Sequence, residues 1–254
     1  MKNKQMRKEL LNWLIGFIVV VLLWQMSSHL FNPTYLPSPI TVFKSIYIES
    51  DLHLKNLSQT AIEATLGLII STLISVFIIL LIGTFPKIES IVYPFIILIK
   101  STPAVVFVPI FILMIGTGIW TKILISALIS FFPLIIGGID GMKRTPDRFL
   151  ILAESYGSKK MTTFLTFKYG FTIEGFCSGL KTAAPLSVIG AIVGEYVTGG
   201  NLAGLGAFII TSSLNSAKTD LYAGAVLSSL LGITFFFASN LIYKIYDKQL
   251  HTRD

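Results

Sequence analysis

Of the 254 residues, 53% are hydrophobic and only 13% charged, about half the charged fraction of an ordinary soluble domain. The formal charge is +7, but the bases sit at the ends of long apolar runs and are not interleaved with exposed aromatics, which argues against nucleic acid and for orientation in a bilayer. The lone Cys177 excludes an internal disulfide, and His29, His53 and His251 have no ligand spacing. With no phosphate loop, nucleophile elbow or zinc-protease motif, neither an enzyme nor a cofactor is expected.

Lys2, Lys4, Arg7 and Lys8 precede an apolar run from Leu10 to about Leu30. The run is too long and too rich in tryptophan for a cleaved leader, so residues 1–31 read as a cytoplasmic tip and a first spanning helix. Residues 32–60 open with turns at Asn32-Pro33 and Pro37-Ser38-Pro39 and read as an extracytoplasmic segment. Ser38-Pro39 starts a short helix there, with Val42, Phe43, Ile46 and Tyr47 on one side. The second span is expected from Ala61 to Thr84, with Glu63 reaching the outer interface as a solvated acid.

Phe85-Pro86-Lys87 makes an inner turn. The apolar stretch from Ile88 to Gly116 exceeds one straight span, and Pro94, Pro103 and Pro109 interrupt it, so a tilted approach and a broken third span follow. Lys100 has two readings: it snorkels to the inner face, or it lies near mid-membrane as a pathway or pairing residue. Gly116-Thr117-Gly118 turns outside, and a fourth span runs from Trp120 to Gly138, kinked at Pro133. A fifth runs from Phe176 to Thr198, with Lys181 near its inner end and Pro185 in its body. Glu195 falls about 28 Å along that helix, either as an interfacial acid or facing a cavity between two copies. Residues 199–220 are glycine-rich and outer, with Leu205, Phe208, Ile209 and Ser212 on a re-entrant or surface helix. A sixth span from Leu221 to Tyr243 leads to the tail, residues 244–254, whose Lys244, Lys248 and Arg253 place it inside. Both termini are thus cytoplasmic, and residues 61–243 form the transmembrane core.

The interval 140–175 is the only long basic, polar stretch between apolar segments. Thr145-Pro146-Asp147 has the composition of a helix start. Phe149, Leu152, Ala153 and Tyr156 recur at helical spacing until Gly157, which suits a left-handed stop. Ser158 is expected to cap a second short helix carrying Met161, Phe164, Leu165 and Lys168 on one face. So short a hairpin needs a partner surface.

This stretch resembles the EAA cytoplasmic loop of permease subunits in binding-protein-dependent ABC importers. Gly157 aligns with the loop's glycine, Ala153 with its last small residue, and Ser158 continues the run. Ile151, Leu152 and Gly170 depart from the glutamate, alanine and proline of that pattern, and Glu154 lies three residues beyond the glutamate's place. Around it, Leu36-Pro37-Ser38-Pro39, Pro94, Lys100, Pro103, Pro109, Gly116, Gly118, Lys122, Phe132-Pro133, Gly194-Glu195 and Gly204-Leu205-Gly206 follow the order of the nitrate/sulfonate/taurine type, which includes permeases for thiamine and riboflavin precursors. The resemblance covers roughly residues 33–245.

The resemblance implies an all-α integral membrane protein of about six transmembrane helices with the type I importer permease architecture. Ala153, Glu154, Tyr156, Gly157, Ser158, Met161 and Phe164 would couple to a separate ATP-binding subunit. Lys100, Pro103, Pro185 and Glu195 are candidates for the translocation pathway or gate. A second permease copy and an extracytoplasmic binding protein would complete the machine. The alternatives are an ion-coupled secondary transporter, for which no internal repeat is evident, and a membrane scaffold without a transport cavity.

Overall fold

The computed structural model describes residues 2–30, 35–199 and 203–251. The Asn32-Pro33 turn and Arg253 lie outside them. Every described element is helical: α1 (Lys2–Leu30), α2 (Pro39–Ile48), α3 (Ser50–Thr84), α4 (Pro86–Ser101), a tight turn at Ala104–Val106, α5 (Phe107–Ile115), α6 (Ile119–Lys143), α7 (Asp147–Ser155), α8 (Lys160–Thr163), a widened π-helical stretch Phe164–Lys168, α9 (Tyr169–Thr198), α10 (Leu205–Leu214) and α11 (Lys218–His251).

Among the described residues, α3, α6, the continuous rod Lys160–Thr198 and α11 are each long and apolar enough to cross a membrane. The pair α4 and α5, bent by 90° at residues 102–103, passes the same test only when the two are taken together, as a broken span or a re-entrant loop. α1, 29 residues long, is the remaining helix of the six expected.

Several helices outrun the boundaries read from hydropathy. α3 begins at Ser50, not Ala61, so the expected extracytoplasmic segment is helical over most of its length. No glycine or proline interrupts residues 50–60, so backbone hydrogen bonding continues where apolarity stops. α6 likewise runs on to Lys143, α9 begins at Tyr169 and α11 extends to His251. At α2 the expected start holds: the Ser38 hydroxyl accepts from the Thr41 amide at 3.3 Å, with Pro39 in the first turn.

The closest seam is between α6 and α9. Gly137 and Gly141 face Gly175 and Gly179 so tightly that a Cβ on Gly175 would strike the Gly137 carbonyl and the Gly141 backbone. Without a hydrophobic drive between helices in lipid, such small-residue contacts supply the dispersion that holds them. The Ser126 hydroxyl donates to the Ser187 carbonyl at 2.8 Å across the same seam. α3 then turns its small and polar side into the bundle, where His53, Asn56, Thr60, Glu63, Gly67, Ser71 and Ser75 are all buried; Glu63, Gly67 and Ser71 meet α6. Ile79, Ile82, Ile135, Ile139, Met142 and Phe164 form a core at the end nearest α7 and α8, hereafter the hairpin end. Ala64, Val188, Ala191, Leu205 and Leu227 form another at the opposite end.

Candidate functional site

The opposite end holds three ionisable side chains with no solvent exposure: Glu63 on α3, Lys122 on α6 and Glu195 on α9. Lys122 Nζ lies 3.3 Å from Glu63 Oε1 and donates to the Ala203 carbonyl at 3.4 Å. Gln59 also donates to Glu63 Oε1, at 2.8 Å. Glu195 is next to Glu63, yet it takes its own donors: the Thr60 hydroxyl at 2.7 Å and the Gly206 amide at 2.6 Å. Isolated buried charges cost several kcal/mol, so a cluster of this kind persists only when paired and hydrogen-bonded. Glu63 Oε2 is the one carboxylate oxygen of the cluster without a hydrogen-bond partner among the described residues.

These groups fasten α10. A helix start leaves its first amides unsatisfied, and here other helices take them. Asn56 Oδ1 accepts from Gly204 at 2.9 Å, Thr60 Oγ1 from Leu205 at 2.8 Å, and Glu195 from Gly206. A carboxylate at this point also complements the helix dipole. Gly204, at φ +144°, sits against the Glu195 carboxylate where any Cβ would collide. Lys122, Gly194-Glu195 and Gly204-Leu205-Gly206, scattered along the sequence, thus meet at one place.

Two expectations change here. Glu63 is not a solvated interfacial acid, because α3 continues for more than three turns beyond it and α6 covers it with Lys122. Glu195 does not face an open cavity, because Thr60 and the start of α10 enclose it. Asn56, Thr60, Glu63 and Lys122 were missed as site residues. A signal was legible: residues 53, 56, 60, 63, 67, 71 and 75 recur every three or four positions with polar or small side chains, which is a buried stripe in a helix otherwise fit for lipid.

The other pathway candidates do not join this cluster. Lys100 and Pro103 are exposed at the bend between α4 and α5. Lys100 lines a recess of about 370 Å³ with Tyr93, Ile96, Ile97, Ser101 and Ile136. Pro185 borders a separate, largely apolar groove of about 1020 Å³ between α1, α9 and α11.

At the hairpin end, Gly157 adopts φ +62° after α7. The Gly157 amide donates to the Glu154 carbonyl and the Ser158 amide to the Ala153 carbonyl, both at 2.9 Å, which is the Schellman closure expected of a glycine stop. The stacked rings of Phe149 and Phe167, 5.8 Å apart, hold the two arms together. The start signals behave differently from expectation. The Thr145 hydroxyl donates back to the Met142 carbonyl, leaving Pro146 to precede α7. Ser158 accepts from the Thr163 hydroxyl, and Lys159 flanks α8.

The apolar face also divides. Ala153 and Phe164 are 3% and 1% exposed. The widened turn at 164–168 rotates Phe164 inward, onto the space that Gly83 leaves on α3. Tyr156 and Met161 stay exposed, and Ile151, Leu152 and Leu165 are exposed with them. Glu154 is exposed and Ser158 half-buried.

A helical membrane bundle with one structured hairpin at a single end is the architecture of a permease subunit. The profile described as binding-protein-dependent transport system inner membrane component matches residues 75–252, and the chain belongs to that family. It is similar to the formylaminopyrimidine transport permease of Halalkalibacterium halodurans, 32% identical over 224 residues, 87% of this chain and 89% of that one. It is also similar to the riboflavin transport system permease of Chloroflexus aurantiacus, 28% identical over 147 residues, 58% of this chain and 54% of that one. A crystal structure of an amino acid ABC transporter with histidines shares the fold, with TM-score 0.61 at 18% identity over 80% of this chain and 97% of that chain.

Proposed function

We propose that this chain conducts a small nitrogen-heterocyclic solute of the pyrimidine vitamin-precursor kind inward across a cell membrane, as one of two permease copies driven by a separate ATPase subunit. Two observations favour the substrate class and the drive: the likeness to a formylaminopyrimidine permease over most of both chains, and the hairpin around Gly157. The hairpin carries the coupling argument. Ile151, Leu152, Tyr156, Met161 and Leu165 expose apolar surface on a structure anchored to α3 and α6 by Phe164, which is a stiff knob seeking a groove. Tyr156, at 83% exposure, is its tip. The basic residues of the 140–175 interval favour a cytoplasmic position for this end, and with it for both termini. The cluster of Glu63, Lys122 and Glu195 then lies at the outer end, where a binding protein would deliver the solute.

The test is reconstitution of the chain in liposomes with its cognate ATPase and binding protein, followed by uptake of formylaminopyrimidine. ATP-dependent uptake that needs all three components supports the reading. Uptake driven by an ion gradient in the permease alone would replace it with secondary transport, and ATP-driven uptake of other solutes only would overturn the substrate class.

A further inference from the structure

Lys100 is exposed at the end of α4, and its depth follows from its neighbours. At the hairpin end, Lys143 of α6 pairs with Glu89 of α4 at 2.6 Å, and its ammonium lies 5.1 Å from the centre of the Tyr93 ring. From that level, Lys100 is eleven residues up α4, and Ile136, which shares its recess, is seven residues up α6. At 1.5 Å per residue the two paths give heights of about 16 and about 10 Å, the difference being the tilt of α4. With the Lys143–Glu89 pair taken as the inner boundary of a core about 30 Å thick, Lys100 is a third to a half of the way across.

A lysine at this depth cannot face lipid cheaply, and snorkelling over more than 10 Å exceeds its reach. Among the described residues it has no acidic partner and no hydrogen bond. Polar groups recur along the side of α4 that carries it. Glu89, Tyr93 and Lys100 follow one another up α4 beside α6, and Ser101, Thr102 and the exposed Pro103 close the series at the bend. Unpaired backbone is tolerated at such a bend only where water or protein meets it.

We propose that the seam between α4 and α6, from the Lys143–Glu89 pair up to Lys100, is a water-filled wall of the solute route, and that Lys100 is its specificity-determining charge. The ammonium favours solutes that present an acceptor oxygen, whether carboxylate, sulfonate or carbonyl, and turns cations away. This rests on the chain being a conducting subunit, but the test needs neither partner subunit nor native solute.

Cysteines are placed singly at Ile97 and Ser101, both at the recess, in a Cys177→Ala chain held in nanodiscs. Each is labelled with an anionic (sulfonatoethyl) and a cationic (trimethylammonioethyl) methanethiosulfonate, with rates normalised to a free thiol. With Lys100 present, the anionic reagent should be favoured by about threefold or more, as a unit charge several ångströms away predicts in a hydrated site. Lys100→Gln should abolish the preference, and Lys100→Arg should keep it. Gel filtration of each variant verifies folding, and the arginine variant carries the comparison should the glutamine variant aggregate. Absence of labelling at both positions would mean that lipid or another copy covers the recess, and would overturn the proposal. So would labelling without charge preference. A preference that disappears when phosphatidylglycerol is added to the nanodisc would assign the ammonium to a lipid phosphate and overturn it as well.

Discussion

Lys122→Met removes the one cation from a cluster that contains two carboxylates, and its cost can be worked from the contacts. Methionine matches the stem in volume, so packing is nearly conserved, and the loss falls on Glu63, left fully buried with only Gln59 at 2.8 Å. Deleting one partner of a buried pair typically costs about 3–5 kcal/mol. For a chain of this size that corresponds to a fall in thermal midpoint on the order of ten degrees. The double variant Lys122→Met/Glu63→Gln removes both charges and should recover most of the loss, whereas Glu63→Gln alone should cost less than Lys122→Met, because the lysine keeps the Ala203 carbonyl and a glutamine oxygen can still accept from it. Thermal unfolding of the four proteins in one detergent measures this cycle. Equal midpoints for the parent and Lys122→Met, or a double variant as damaged as the sum of the singles, would refute the ion pair as a coupled unit.

Gly157→Val forces a β-branched residue to φ +62°, costing about 1–2 kcal/mol at an exposed turn with no neighbour for the new side chain to strike. The variant should reach the membrane while ATP-driven transport falls, and transport at the parent rate would count against docking at this turn. Glu195→Leu strands the Gly206 amide, at about 1–3 kcal/mol for a buried orphan, while the Thr60 hydroxyl falls back on the Asn56 carbonyl; Glu195→Gln keeps an acceptor and should be milder. Protease sensitivity around the start of α10 should rise slightly in Glu195→Gln and further in Glu195→Leu. Single cysteines at Tyr156 and Asn215 in a Cys177→Ala chain should label only in permeabilised and also in intact cells, respectively; labelling at 156 on intact cells would invert the assigned orientation.

Much of the fold was legible in the residues. Apolar runs marked the crossings, Pro103 marked the break, and Gly157 marked the turn of the hairpin. Helix ends were not, because hydropathy reports where lipid begins while hydrogen bonds carry α3 a further eleven residues to Ser50. The hairpin's outward face was half legible: helical periodicity placed Phe164 with Met161, but the widened turn at 164–168 breaks that period. The acid–base cluster was hidden for another reason. Glu63, taken by itself near a helix end, is cheaply explained by solvent, and only the long helix that buries it and the lysine 59 positions later change its meaning. Lys122, Glu195 and Gly204 were each visible, but their meeting depends on how α6, α9 and α10 pack, which no local pattern encodes.

The π-helical stretch at Phe164–Lys168 has a mechanical consequence. It joins α8 to α9 without a bend, so residues Lys160–Thr198 form one rod of 39 residues, about 58 Å long. A lever of that length amplifies. Pivoted at its lower end, it converts a tilt of about 5° into a sweep of about 5 Å at the other, several times the slack of a hydrogen bond. Glu195 rides near the far tip of this lever, gripping Thr60 and Gly206. The hairpin and the carboxylate that holds Thr60 and Gly206 are thus carried on the two ends of one continuous helix.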